Sequence, residues 1–212
     1  MTSKRTARLR SKAGVTAGLA LAGLLLAACG GAVAAGSAAV LGDERIPTSE
    51  VADQVAQINT ARGLPADTGN AATTASVIQR LVITNLVDQA AQRLDVTVSD
   101  GAVDAELLAL EANAGGREAL DEALLQSDIP PSAASDQVRV SLLVREMGLL
   151  LDPNGDPQTQ NTAVFEYVVA LSEELDVSIS PRFGTWNADQ LALGPLPDDL
   201  STPAPQAEPA AG

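Results

Sequence analysis

A chain of 212 residues with 27 acids, 13 bases, one cysteine and no histidine excludes whole classes of chemistry before any motif is read. Without histidine there is no Ser-His-Asp or Cys-His catalysis and no His-ligated zinc or haem, and a lone cysteine permits no disulfide within the chain. The acids all follow residue 42, so once the N-terminal segment is set aside the remainder is strongly acidic and repels phosphate backbones; nucleic acid is not an expected partner.

Five bases (Lys4, Arg5, Arg8, Arg10, Lys12) precede an apolar run from Ala13 to Ala28 rich in Ala, Leu and Gly. This is the charged then apolar order of an export signal, with the positive end kept inside. The run closes Leu26-Ala27-Ala28-Cys29-Gly30, which resembles the lipobox of bacterial lipoproteins. There the bond between Ala28 and Cys29 is cut and Cys29 carries the lipid. The alternative is an uncleaved anchor, since small apolar residues continue to Leu41; both place the rest of the chain on the extracytoplasmic face of the cell membrane. Beyond the cut, eight bases, all Arg, face 27 acids, a net charge of −19.

Residues 29–38 read as a flexible tether. Ala39 to Pro47 reads as a small hairpin turning at Gly42-Asp43. Thr48 or Ser49 is then expected to cap a helix from Glu50 to about Thr60, with Val51, Val55 and Ile58 on one face. Arg62-Gly63-Leu64-Pro65 ends it.

A long helix is expected from about Ala71 to Leu94. Its stripe of Ile78, Leu81, Val82, Leu86, Ala90 and Leu94 is widened by Val77 and Ile83, the pattern of a helix with more than one neighbour. After an extended Val96-Thr97-Val98, Ser99 starts a third helix facing inward through Val103, Leu107 and Leu110. Asn113-Ala114-Gly115-Gly116 stops it. A short helix covers Arg117 to Gln126 with Leu120, Leu124 and Leu125, and Ile129-Pro130-Pro131 breaks the chain again. Ser132 to Leu151 carries Val140, Val144, Met147 and Leu151, with Val138, Leu142 and Leu149 on a second flank. Asp152-Pro153-Asn154-Gly155 is a turn. Its 1-3-5 oxygen spacing is that of a calcium loop, but Pro157 stands at the sixth place and Ala163 at the twelfth, so an ordinary turn is expected. A last helix runs from about Thr159 to Leu175 with Val164, Val168 and Leu171 inward.

Val177 to Trp186 then alternates as an extended segment, and Phe183 and Trp186, half of the four aromatics, form a packing cluster or a client contact. Residues 194–212 hold five prolines and no period and read as a disordered tail. The expected organisation is therefore a signal (1–28), a tether (29–38), one mainly α domain of five to six helices with a strand pair near both ends (39–193), and the tail (194–212).

Two segments resemble a known family. Val40-Leu41-Gly42-Asp43-Glu44-Arg45-Ile46-Pro47-Thr48-Ser49-Glu50-Val51 is similar to the opening of SurA-type N-terminal domains, with a short strand, a Gly turn, an Ile and a Ser-Glu helix start. Leu94-Asp95-Val96-Thr97-Val98-Ser99-Asp100, continuing to Leu107, is similar to the junction those domains share with PrsA-type foldases and trigger factor. Ser180 to Trp186 resembles the end of short lipoprotein members from high-GC Gram-positive bacteria. The resemblance implies an extracytoplasmic chaperone that holds unfolded or exported polypeptide, without cofactor or metal. It departs from the many members that carry a parvulin isomerase domain, because only a short turn separates Leu151 from Asn161. The expected activity is a membrane-tethered holdase, not an enzyme, with client flanks on 71–94 and 132–151. The alternative is a scaffold lipoprotein docking one envelope protein.

Overall fold

The computed structural model describes residues 35–196. The expected signal, the lipid-bearing Cys29 with its cleavage site at Ala28, and the tail beyond Leu196 lie outside the described residues.

Strand β1 (Ser37–Leu41) turns at Gly42 into β2 (Glu44–Pro47), which it pairs antiparallel with Leu41 opposite Glu44 and Ala39 opposite Ile46. Gly42 takes φ 59°, a turn conformation that favours glycine. β1 begins two residues earlier than expected: Ser37 and Ala38 are buried strand residues, not tether. Six helices follow: α1 (Thr48–Ala61), α2 (Ala71–Arg93), α3 (Asp100–Ala114), α4 (Arg117–Gln126), α5 (Ala134–Leu151) and α6 (Pro157–Glu174). A 3-10 turn at Pro131–Ala133 replaces the expected start of the fifth helix at Ser132, and α5 proper begins at Ala134. Strand β3 (Ser178–Ile179) pairs with β1, giving the order β2-β1-β3, and β4 (Trp186–Asn187) pairs with β5 (Ala192–Leu193).

The core is organised around α2, which packs against α1, α5, α6, β1 and β5. Its stripe is closed off, with Val77, Ile78, Val82, Leu86 and Ala90 at 0 % exposure. From the other elements come Leu41, Ile58, Met147, Val164, Val168 and Leu171. At Gly148 the backbones of α5 and α6 approach so closely that a Cβ would lie 3.0 Å from that of Gln160.

Capping differs from expectation at α1. Neither Thr48 nor Ser49 caps it; the N-cap is Pro47 without a side-chain bond. The Thr48 hydroxyl instead donates to the Gly36 carbonyl at 2.9 Å, and its backbone N–H reaches the same oxygen. Ser99 caps α3 as expected, and the Asp156 carboxylate caps α6 by accepting from the N–H groups of Gln158 and Thr159.

Three helices end on an unusual residue. Asp95, Asp128 and Asp176 have φ of 55°, 55° and 49°, each in the left-handed position just after α2, α4 and α6. In each case the following Val96, Ile129 or Val177 donates its N–H back to the carbonyl of Ala91, Leu124 or Ser172. These are Schellman closures in which aspartate holds the place glycine usually takes. The β-branched residue that follows each aspartate carries the chain inward.

Candidate functional site

A leucine-lined groove lies between α3, α4 and the first half of α5. The lining of a groove of about 210 Å³ is Leu107, Leu110, Leu120, Leu124, Ala134 and Val138, with Gln137 and Ser141 as the polar members. It exists because two short helices share one narrow support. α3 fully buries only Val103, and α4 only Leu120. Val103, Val138 and Leu142 form a small separate core. Leu107 and Leu110 follow Val103 at helical spacing, so the α3 stripe points toward α5. Yet α4, at ten residues, is too short to cover it. Leu110 stays 38 % exposed and Leu108, on the other side of α3, 67 %.

This corrects two expectations. Leu110 is not a buried residue, and most of the apolar stripe of α2 is spent on the core, so that 71–94 offers a mixed opening lined by Ser76, Gln79, Arg80, Ile83 and Thr84 in place of the expected apolar flank. Within α5, the second flank divides: Val138 and Leu142 are buried, whereas Leu149 is 47 % exposed.

The two short helices are acidic. α3 and α4 together carry Asp100, Asp104, Glu106, Glu111, Glu118, Asp121 and Glu122 against Arg117 alone. Arg139 of α5 pins the start of α3, pairing with Asp100 at 2.6 Å and donating to the Val98 carbonyl. Arg117 pairs with Asp121 within α4 at 2.8 Å.

A second cavity, of about 360 Å³, has Gln137 in its lining as the groove does. α2 contributes Ser76, Gln79, Arg80, Ile83 and Thr84, the α4–α5 connection contributes Ser127 and Ile129, and α5 adds Val140. Arg80 donates through Nη2 to the Gln54 side-chain oxygen. Its Nε–H is buried and finds no acceptor among the described residues. Burial lowers the pKa of this guanidinium from its ordinary value, and Asp136, Glu50 and Asp128 oppose that shift. Two turns farther along α2, burial raises the carboxyl of Asp88, with Asp136 adding to the effect and Arg139 opposing it.

The connection that walls this cavity is latched at Asp128. Arg62, just past α1, donates to its carboxylate at 2.9 Å and also to the Leu125 carbonyl, and the Thr73 hydroxyl donates at 3.0 Å. Burial alone would raise the pKa of Asp128, but hydrogen bonds from Arg62, Ser76 and Thr73 and the Arg62 charge outweigh it and hold the carboxyl below its usual range.

Of the residues singled out in the sequence, Trp186 packs on the main core and donates Nε1–H to the buried Ser172 hydroxyl at 2.8 Å. Phe183 also packs there, with the Arg182 guanidinium 4.5 Å from its ring centre. It borders a cleft of about 570 Å³ between the start of α2 and residues 193–196. Neither aromatic reaches the leucine groove. Sequence reasoning did not single out Arg80 and Gln137. The signal for Arg80 was slight: it is the one charge between Val77 and Val87, but Gln79, Thr84 and Asn85 share its helical spacing and read equally well as a solvated face.

α5 and α6 are joined by residues 152–156 alone, so no parvulin domain is inserted there. The family described as SurA-like N-terminal domain matches this chain over residues 8–148, about two thirds of its length. No curated protein and no solved structure matches it.

Proposed function

This chain belongs to the SurA-like N-terminal domain family, and we propose that it is a lipid-anchored extracytoplasmic holdase that binds extended apolar segments of unfolded or exported polypeptides. The observation that carries the reading is the leucine groove between α3, α4 and α5, left partly open in a chain whose exported part bears a charge of −19. Small-molecule sites occupy roughly 300–1,000 Å³. A groove of about 210 Å³ suits one or two aliphatic side chains of a peptide instead. At about 1.5–3 kcal/mol per buried side chain, two such contacts give roughly 3–6 kcal/mol before ordering costs. Association and ordering take up much of that gain, so capture at the groove alone is weak. Weak capture with rapid release is what a holdase without nucleotide or metal requires. The acidic character of α3 and α4 favours segments whose apolar residues are flanked by Lys or Arg, and keeps the complex soluble.

Anchoring through Cys29 after cleavage at Ala28 is supported by the five bases, the apolar run and the small residues before the cysteine. No helix among the described residues is long and apolar enough to cross a membrane. The chemistry is binding, not bond-making.

Aggregation suppression tests the reading. Several unrelated proteins are diluted from denaturant and followed by light scattering. The full chain is expected to slow aggregation of most of them, and the double variant Leu110→Ser with Leu124→Ser to lose that effect several-fold while keeping its fold. Equal activity of the variant, or no suppression by the wild type, overturns the proposal.

A further inference from the structure

We infer that the cleft beside Arg182 faces the membrane and takes one of its phospholipids, with the phosphate on the Arg182 guanidinium and acyl carbons against Phe183, Leu193 and Leu196. The inference rests on the anchoring reading above and adds to it the face that the anchored domain turns to the bilayer.

The path of the chain sets the orientation. Only six residues, Gly30 to Ala35, separate Cys29 from Gly36, so Gly36 stays within roughly 25 Å of the lipid-bearing cysteine. A domain of this size is about 40 Å across, so the end that holds Gly36 is the membrane-proximal one. Two hydrogen bonds in series join Gly36 to the cleft. Its carbonyl accepts from the Thr48 hydroxyl at 2.9 Å, and that hydroxyl oxygen accepts from Arg182 Nη2 at 2.8 Å. Arg182 therefore sits where the chain leaves for the membrane, and it lines the cleft of about 570 Å³.

The chemistry of the cleft fits an amphiphile with an anionic head. Ala71, Ala75, Phe183, Leu193 and Leu196 give it apolar walls, and the exposed Arg182 adds a guanidinium. No acid lines it, in a chain that has 27. Arg182 stacks on Phe183 and forms no ion pair among the described residues. The helix α2 starts at this cleft, behind Asn70, with no acid in its first turn, which leaves the positive end of its dipole uncompensated. An exported part of net charge −19 is repelled by an anionic surface, and one arginine does not reverse that. The anchor supplies the proximity, and Arg182 with the cleft selects which face turns to the lipid.

Trp186 reports on the cleft. It is the chain's one tryptophan and stands opposite Leu193 in the β4–β5 pair, so the two side chains share a face. The full chain, extracted from membranes with its anchor, is reconstituted in phosphatidylcholine vesicles whose acyl chains are brominated near the headgroup. Flotation reads anchoring, and quenching of Trp186 reads docking. Wild type should float and be quenched. Arg182→Gln and Leu196→Asp, both at exposed positions, should float as well, with quenching several-fold weaker. Trp186 emission in vesicles without bromine checks that each variant is folded. If wild type floats unquenched, or the variants are quenched as strongly as wild type, the inference is overturned and the anchor stands. Quenching that appears only after removal of residues 197–212 overturns it too, because the cleft then belongs to the chain's own end. If wild type does not float, the anchoring reading falls and the inference with it.

Discussion

Replacing Asp128 by asparagine isolates the charge in the latch that closes one wall of the polar cavity. Asparagine is about as tolerant of the left-handed conformation as aspartate, so the φ of 55° adds little strain, and Oδ1 remains to accept from Thr73 and Arg62. What is lost is the ionic character of these bonds. Charge-assisted hydrogen bonds contribute about 1.5–3 kcal/mol and neutral ones about 0.5–1.5. The Arg62 and Asp128 side chains are 29 % and 22 % exposed, which keeps the loss well below the 3–5 kcal/mol of a fully buried broken pair. Asp128→Asn should therefore cost about 1–1.5 kcal/mol near neutral pH. For a domain of this size that is a fall of roughly 2–6 °C in melting temperature. Because the folded carboxyl is held below its usual range, its contribution is fully present above the unfolded value, about 3.9. It is lost as pH falls through the lower folded value. The difference between wild type and variant should be constant from about pH 7 to pH 5 and shrink below about pH 4. Urea unfolding at several pH values measures it. A difference absent at neutral pH, or one that persists undiminished in strong acid, refutes the latch.

Other consequences are independent of it. Met147→Ala opens a cavity at a site with 0 % exposure and should destabilise by about 2–5 kcal/mol in urea unfolding. Trp186→Phe leaves the buried Ser172 hydroxyl without its donor and should cost about 1–3 kcal/mol by calorimetry. Asp95→Gly relieves a left-handed aspartate on an exposed helix end, and should stabilise by about 0.5–1 kcal/mol where most substitutions destabilise. Cys29→Ala should abolish incorporation of labelled palmitate into the protein; incorporation equal to that of wild type would contradict lipidation at Cys29.

Periodicity made much of the fold legible. The aliphatic positions of the second helix are spaced at 3.6 residues and all find partners, so both its extent and its burial could be read directly. The fourth helix runs from Arg117 to Gln126 as expected, because two glycines before it and two prolines after it leave little latitude. The pairing of β1 with β3 is less local, since it joins residues about 140 positions apart, and alternation alone does not specify a partner. Leu110 shows the limit most clearly. Its spacing from Val103 is that of a core residue, but burial depends on whether a neighbour is long enough to cover it, and that is a property of α4. The aspartates after α2, α4 and α6 look like ordinary surface acids until their φ is known. Arg80 carried only a slight signal, and the cavity beside it needed the path of the 127–129 connection, which Asp128 sets.

Site-specific photocrosslinking in living cells bears most directly on the central claim, that the opening between α3, α4 and α5 captures extended segments of many proteins. A photoreactive residue is placed at Leu110 or Ser141, which line the groove, and at Thr159 on α6, which does not. The groove positions should yield many exported polypeptides and Thr159 few. A single discrete partner from the groove, or equal yields from all three positions, would contradict the account.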